Sequence, residues 1–280
     1  MKPMEVGVFL CNLGIADTVE ALKKAKEIGF RVVQLGPDAY YSCGEPAKRN
    51  KLKSEIKALK MEVTTVFAGF EGEDYSDVPA VIRTVGFLNK DRVRERVELS
   101  KQIADFTAEL GVRIMAAHVG FIPPEGNTPE FKMMYNSVCD VVDYCAERGL
   151  MFSFETGQEK PEELLHFIKK MDRRNARVNF DTANLLLYGK SKALPGIEIL
   201  KDYIINVHAK DGYWPKEKDK IGEQAPIGQG EAELGACVKK LAEVGYKGPL
   251  IIEREAGEDR IGDILRAKEY LEKAKKEAGL

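Results

Sequence analysis

Histidine is scarce in this sequence: His118, His166 and His208 are the only three in 280 residues. A centre built on three or more imidazoles would need every one of them, so any metal site must rest mainly on carboxylates. Net charge is also small, with 43 Lys and Arg against 45 Asp and Glu and a formal charge of −2. Phosphate-backbone binding needs a concentrated excess of basic residues, so nucleic acid is not expected as a partner. The five cysteines, Cys11, Cys43, Cys139, Cys145 and Cys237, include no CxxC pair. That speaks against a zinc ribbon or disulfide framework and for reduced thiols in a cytoplasmic protein. No run approaches the roughly 18 apolar residues of a membrane span, and the short apolar stretch to Leu10 follows an early acid, Glu5, unlike a secretory signal. A soluble protein without membrane contact is expected.

What is present is a repeat of short β-branched or apolar runs separated by longer helical stretches, the pattern of βα units. Eight strands are expected: Val6–Leu10, Val32–Leu35, Glu62–Phe67, Arg113–Ala117, Met151–Glu155, Arg177–Asp181, Ile204–His208 and Leu250–Glu253. Gly29, Gly111, Gly149 and Gly245 each stand just before such a run, where a glycine closes the preceding helix. Amphipathic helices are expected over Val93–Leu110 and Ile261–Ala278. Eight units in this length average roughly 35 residues each, which predicts an α/β protein made of a single (β/α)8 TIM barrel over residues 1–280. No composition break suggests a second domain. Two loops, Phe67 to Asp91 and Ala209 to Glu231, are long and follow the third and seventh strands; at that end of a barrel such loops wall the active site.

Four consecutive strands end on one ionisable residue each: Glu155, Asp181, His208 and Glu253. One such residue is ordinarily a solvated strand end or a helix cap. Four in succession place three carboxylates and an imidazole along one side of the barrel mouth, where the carboxylates would repel one another without a cation. Three oxygens and a nitrogen suit one divalent ion, Mn²⁺, Mg²⁺ or Co²⁺, and do not exclude Zn²⁺.

The segments FETGQE (154–159), NFDTAN (179–184), VHAKD (207–211), Gly228-Gln229-Gly230-Glu231 and LIIERE (250–255) resemble the xylose-isomerase-like TIM-barrel superfamily of sugar phosphate isomerases and epimerases. The likeness is greatest to its D-tagatose/D-psicose 3-epimerase-like branch and extends over nearly the whole chain. The resemblance implies one divalent metal, most often Mn²⁺, held by Glu155, Asp181, His208 and Glu253, with Glu155 and Glu253 also moving protons as catalytic residues. A metal chelating a ketose carbonyl would stabilise the enediolate left by loss of the neighbouring proton, and two glutamates on opposite faces would invert that centre.

Many relatives carry Asp-x-x-His on the sixth strand, whereas Asp181-Thr182-Ala183-Asn184 ends on an asparagine, which cannot carry a proton at neutral pH. His118, just past strand four, points at the same mouth, for substrate hydroxyls, acid–base help or a second metal. Lys210, two residues past His208, is a candidate for polarising a substrate oxygen. Glu159 and Gln158, and Trp214 with Tyr213, are candidate walls of a sugar pocket. His166 lies on a helix and is left out. The turn at Gly228 could cradle phosphate on its amides, although a plain turn is favoured.

The expected function is therefore a metal-dependent sugar isomerase or epimerase acting on a small-molecule sugar or keto-sugar derivative. Homo-oligomerisation would be in keeping with such relatives. The alternative is a lyase of the same fold, inosose-dehydratase-like or eliminating from 3-keto-glycosides. An endonuclease-IV-like phosphodiesterase is disfavoured, because that family carries additional histidines that this chain lacks.

Overall fold

The computed structural model describes residues 2–126 and 128–280. Its strands are β1 (Val6–Phe9), β2 (Val32–Leu35), β3 (Glu62–Ala68), β4 (Ile114–Ala117), β5 (Met151–Glu155), β6 (Ala176–Asp181), β7 (Ile204–Ala209), β8 (Asp211–Gly212), β9 (Gln224–Ala225) and β10 (Leu250–Ile252). Eight of them, all but β8 and β9, close a parallel barrel in the order β1-β10-β7-β6-β5-β4-β3-β2. The chain is thus a TIM barrel, as its repeating pattern predicts. Among the described residues no helix is long and apolar enough to cross a membrane.

The barrel is specified by two periodicities. In β5, β6 and β7 the residues Phe152, Phe154, Val178, Phe180, Val207 and Ala209 face outward and join the core beneath the helices. Their alternates, Ser153, Glu155, Asn179, Asp181, Asn206 and His208, are buried on the inner face. On the other side Phe9, Val32, Phe67, Ala116 and Ile251 form a separate apolar cluster, broken by the buried inward residues Gln34 and Thr65. Outside, the helix Val93–Leu110 buries Val97, Ile103, Ala104, Phe106 and Leu110, one helical face as its spacing predicts. The four helix-closing glycines all take positive φ, from 70° at Gly149 to 84° at Gly29.

Some strand ends differ from expectation, each for a local reason. β1 stops at Phe9 because Leu10–Leu13 tightens into a 3-10 turn closed by Gly14 at φ 71°. β10 stops at Ile252: the Glu253 amide still donates to the Ala209 carbonyl at 3.1 Å, but the next amide, of Arg254, leaves the sheet for Asn12 Oδ1 at 3.0 Å. The stretch after β3 contains a helix, Val78–Thr84, which the sequence reading treats as loop. It is opened by Asp77, whose side chain accepts from the Ala80 amide at 2.8 Å, with Pro79 in its first turn. This segment meets the loop after β7 where the Val78 amide donates to the Asp219 carbonyl at 3.0 Å, bridging the two long loops across the mouth.

Candidate metal centre

The C-terminal ends of β5, β6 and β7, with Glu253 just past β10, bring four side chains to one point. One ligand atom from each of Glu155, Asp181, His208 and Glu253 lies within 4.8 Å of the other three, and all four residues are buried. Register explains the convergence: Asp181 pairs with His208 across β6 and β7, and His208 with Ile251 across β7 and β10.

Asp181 and Glu253 each keep one oxygen without a hydrogen bond, and the imidazole turns one nitrogen toward the cluster. Asp181 Oδ1 accepts from the amides of Ala183 and Asn184, both at 2.7 Å, while Oδ2 has no hydrogen-bond partner. His208 Nε2 lies 2.6 Å from Gln34 Oε1. An Nε2–H donated to that carbonyl turns Nδ1 to the cluster, where it lies 3.1 Å from Glu155 Oε1, and loss of the Nδ1 proton would leave a lone pair for an ion. Gln34 in turn reaches Thr65 Oγ1 at 3.4 Å, which also accepts from Asn206 Nδ2 at 2.8 Å. The rings of Phe9 and Phe67 pack on the imidazole at 5.3 and 5.8 Å. Glu155 is oriented by Asn179 Nδ2 on Oε2 and by Asn184 Nδ2 on Oε1 at 3.3 Å. Glu253 Oε2 makes no well-aligned hydrogen bond, although His208 Nδ1 and Lys210 Nζ lie 3.0 and 3.3 Å away.

Lys210 is the neighbouring cation. Its buried ammonium lies 2.8 Å from Glu255 Oε2, 3.3 Å from Asn184 Oδ1 and 3.8 Å from Asp181 Oδ2. Burial pushes the carboxyls of Glu155 and Asp181 up. Burial also opposes ionisation of Glu253, yet Lys210 and His208 hold its carboxyl well below the usual range. On His208 and Lys210 burial opposes charge too, but the carboxylates around them carry both well above their ordinary values. The cluster thus balances its negative charge with its own protons and with Lys210, and an entering divalent ion would release protons. Two buried carboxylate oxygens without hydrogen bonds beside an oriented imidazole fit such an ion, and the cluster suggests a divalent metal.

The other candidates divide. Asn184 and Lys210 touch the cluster. Glu159 is buried beyond it on the loop after β5. Trp214 is not brought in: β8 and β9 fold the loop back, and the indole lies near Gly189 with the residue 43 % exposed. His166 sits on the surface paired with Glu125. The turn at Gly228 is filled by the protein itself, since Asp211 accepts from the amides of Gly228, Gly230 and Ala232 at 2.9, 3.1 and 3.0 Å. Sequence reasoning missed Gln34, Asn179 and Tyr75. Asn179 and Asn206 stand two residues before Asp181 and His208, a period-two signal for the same face. Gln34 is the lone polar residue of an apolar run, whereas Tyr75, which donates to Glu73 Oε2 at 3.3 Å, has no signal in sequence.

His118 stands at the mouth, its ring 5.7 Å from that of Phe67 and 5.8 Å from that of Tyr75, with Nδ1 buried and unpartnered. Burial pushes its imidazole down to about 4. Unfolded, a histidine takes up its proton near pH 6.5, so between about 6.5 and 4 the unfolded chain binds a proton that the native one does not. Acidification across that window should therefore remove stability, by roughly 2–3 kcal/mol from this residue. Urea midpoints measured from pH 7 to pH 4 should fall more steeply for the wild type than for His118→Gln; parallel profiles would refute this.

The xylose isomerase-like TIM barrel family matches residues 22–274. An uncharacterised protein of Methanocaldococcus jannaschii, MJ1311, is 26% identical over 196 residues, covering 65% of this chain and 64% of that one. L-ribulose-5-phosphate 3-epimerase UlaE of Shigella boydii is 29% identical over 80 residues, 28% of this chain and 26% of the epimerase. The chain thus spans less than two thirds of the length of these curated relatives. The crystal structure of a xylose isomerase domain protein from Planctomyces limnophilus superposes with a TM-score of 0.90 at 28% identity, covering 100% of this chain and 99% of that one. Fold, buried cluster and family match agree: the chain belongs to the xylose isomerase-like TIM barrel family.

Proposed function

We propose that this protein is a divalent-metal-dependent sugar epimerase or isomerase that moves a proton on the carbon beside a ketose carbonyl. The observation that carries this reading is the buried quartet Glu155, Asp181, His208 and Glu253, with one carboxylate oxygen free of hydrogen bonds on each of Asp181 and Glu253. These four would hold one ion, Mn²⁺ foremost, with Mg²⁺, Co²⁺ and Zn²⁺ compatible with the same donors. The ion, when bound, would supply Lewis-acid polarisation of the substrate's carbonyl and adjoining hydroxyl oxygens.

The remaining chemistry belongs to the chain. Glu253, kept ionised by Lys210 and His208, is suited to take the proton from carbon. Glu155, pushed up by burial and oriented by Asn179 and Asn184, is suited to return one from the other side. The order of the two follows the configuration of the substrate. Lys210 donates toward the oxygen on which negative charge develops, with Asn184 as its neutral partner. Phe9 and Phe67 close the opposite wall and keep water from the imidazole. A relative named as a 3-epimerase, matched over 80 residues, supports a reaction of the epimerase class.

The lyase reading shares the first proton transfer and needs an acid for the departing oxygen; the buried Lys210 ammonium is the group that favours it. One experiment separates the two. Mn²⁺-loaded protein is incubated in D₂O with ketoses, inososes and 3-keto-glycosides and followed by NMR. Deuterium at one carbon with a new epimer or isomer is the expected result; loss of water or an aglycone would establish the lyase. Absence of exchange on every substrate would overturn both.

A further inference from the structure

Around the loop after β3, two opposite charges meet at one backbone residue, away from the quartet. Arg96, on the helix Val93–Leu110, is 1 % exposed. Its Nη1 donates to the Gly86 carbonyl at 2.6 Å and its guanidinium lies 5.2 Å from the centre of the Phe70 ring, while Nε and Nη2 have no hydrogen-bond partner among the described residues. Glu73 takes the other side of Gly86. Its Oε1 accepts from the Gly86 amide at 2.9 Å, and its Oε2 accepts from the Phe70 amide and the Tyr75 hydroxyl, both at 3.3 Å. Burial pushes the Glu73 carboxyl up and the Arg96 guanidinium down, and the charge of each opposes the shift of the other. Gly86 has φ +67°, and a Cβ there would stand 2.1 Å from the carbonyl of Val119, whose oxygen accepts from the Phe87 amide at 3.0 Å. Fixing Gly86 therefore fixes the loop after β3 against the segment that begins with His118.

This seam leads to the metal centre. Ring centroids run from Tyr75 to His118 at 5.8 Å, from His118 to Phe67 at 5.7 Å and from Phe67 to His208 at 5.8 Å. The Tyr75 hydroxyl ends the column on Glu73. A buried guanidinium with idle donors costs stability, and an apolar side chain of similar volume would fill the same space at less cost. Arg96 therefore serves the placement of the loop rather than the stability of its helix. We propose that Arg96 and Glu73 are positioning residues, which grip Gly86 by its C=O and N–H and so hold Tyr75 and His118 as the wall of the mouth against which the substrate packs. The assignment rests on the reading of the quartet as the reacting centre. Neither residue touches the reacting atoms; each acts through the column of rings. A displaced wall weakens ground state and transition state alike, so its signature is a raised KM with kcat little changed.

Proton NMR of the metal-free protein tests the placement without turnover. The Hε1 resonance of His118, identified by its absence from His118→Gln, is displaced by the ring currents of Tyr75 and Phe67. Arg96→Met and Glu73→Gln should each move it about as far as Tyr75→Leu does. Arg96→Lys keeps the charge and a donor for the Gly86 carbonyl, and should move it less. With Mn²⁺ and a ketose that the wild type turns over, Arg96→Met and Glu73→Gln should raise KM by about tenfold and change kcat by less than about twofold. Thermal melting shows which variants are folded; should Arg96→Met not fold, Glu73→Gln carries the test. A His118 resonance that stays in place in the folded variants, or a loss confined to kcat, would overturn the positioning role. The reaction and the positioning fail separately. A protein that exchanges deuterium as proposed while the resonance stays in place refutes the positioning alone, whereas one whose resonance moves as described but which exchanges no ketose retains the held wall and refutes the reaction.

Discussion

Glu155→Gln and Glu253→Gln should each lower deuterium exchange at the substrate carbon by about 10³-fold or more, the scale of a lost general acid or base. Glutamine keeps the shape of the side chain and an oxygen to accept from Asn179 or to face His208, but it cannot accept and release a proton at neutral pH. The loss should appear in kcat, with KM changed less, because the group acts on the transferred proton rather than on the resting substrate. Both residues also belong to the quartet, so metal content has to be measured alongside; the comparison is made at saturating Mn²⁺ with the ion shown to be bound. Full activity in either variant would eliminate the two-glutamate mechanism.

Removal of the buried cation should be the most damaging change to the metal-free protein. Lys210→Met strips the ammonium from Glu253 at 3.3 Å, Asp181 at 3.8 Å and Glu255 at 2.8 Å. The first two carboxylates are buried, with Glu253 keeping only His208 Nδ1 at 3.0 Å, and taking one partner from such a buried ion pair costs about 3–5 kcal/mol. Glu255 is half exposed and contributes little to that figure. For a chain of this size the melting temperature of the metal-free variant should fall by roughly 8–15 °C. Saturating Mn²⁺ should return much of the loss, since an ion between the carboxylates replaces the missing charge and binds only the folded state. An identical drop with and without metal, or no drop at all, would show that Lys210 does not balance the cluster.

Much of this arrangement is legible in the sequence because barrel strands carry a period-two code. In FSFE, VNFD and NVHA the outer residues are apolar and the inner ones polar, so the last inner position of each marks the mouth. The same alternation carries Lys210 to the side of His208, where its ammonium meets Asp181 and Glu253. Partners that come from distant strands have no such code. Gln34 on β2 meets His208 only once the barrel closes, and the Tyr188 ring comes up against Gly157 only when the chain after β6 folds back on the loop after β5. Helix Val78–Thr84 escaped because seven residues show hardly two turns of periodicity; its signal was the local pair Asp77 and Pro79. The placement of Trp214 depended on the two-residue ladder of β8 and β9, too short to register as alternation.

The central claim is that the quartet holds one catalytic divalent ion, and Mn²⁺ titration followed by the electron paramagnetic resonance of the free ion tests it most directly. The wild type should bind one Mn²⁺ per chain with proton release, and His208→Ala and Asp181→Asn should each weaken that binding by at least about 100-fold. Stoichiometric binding that survives both substitutions, or no binding by the wild type at millimolar Mn²⁺, would contradict it.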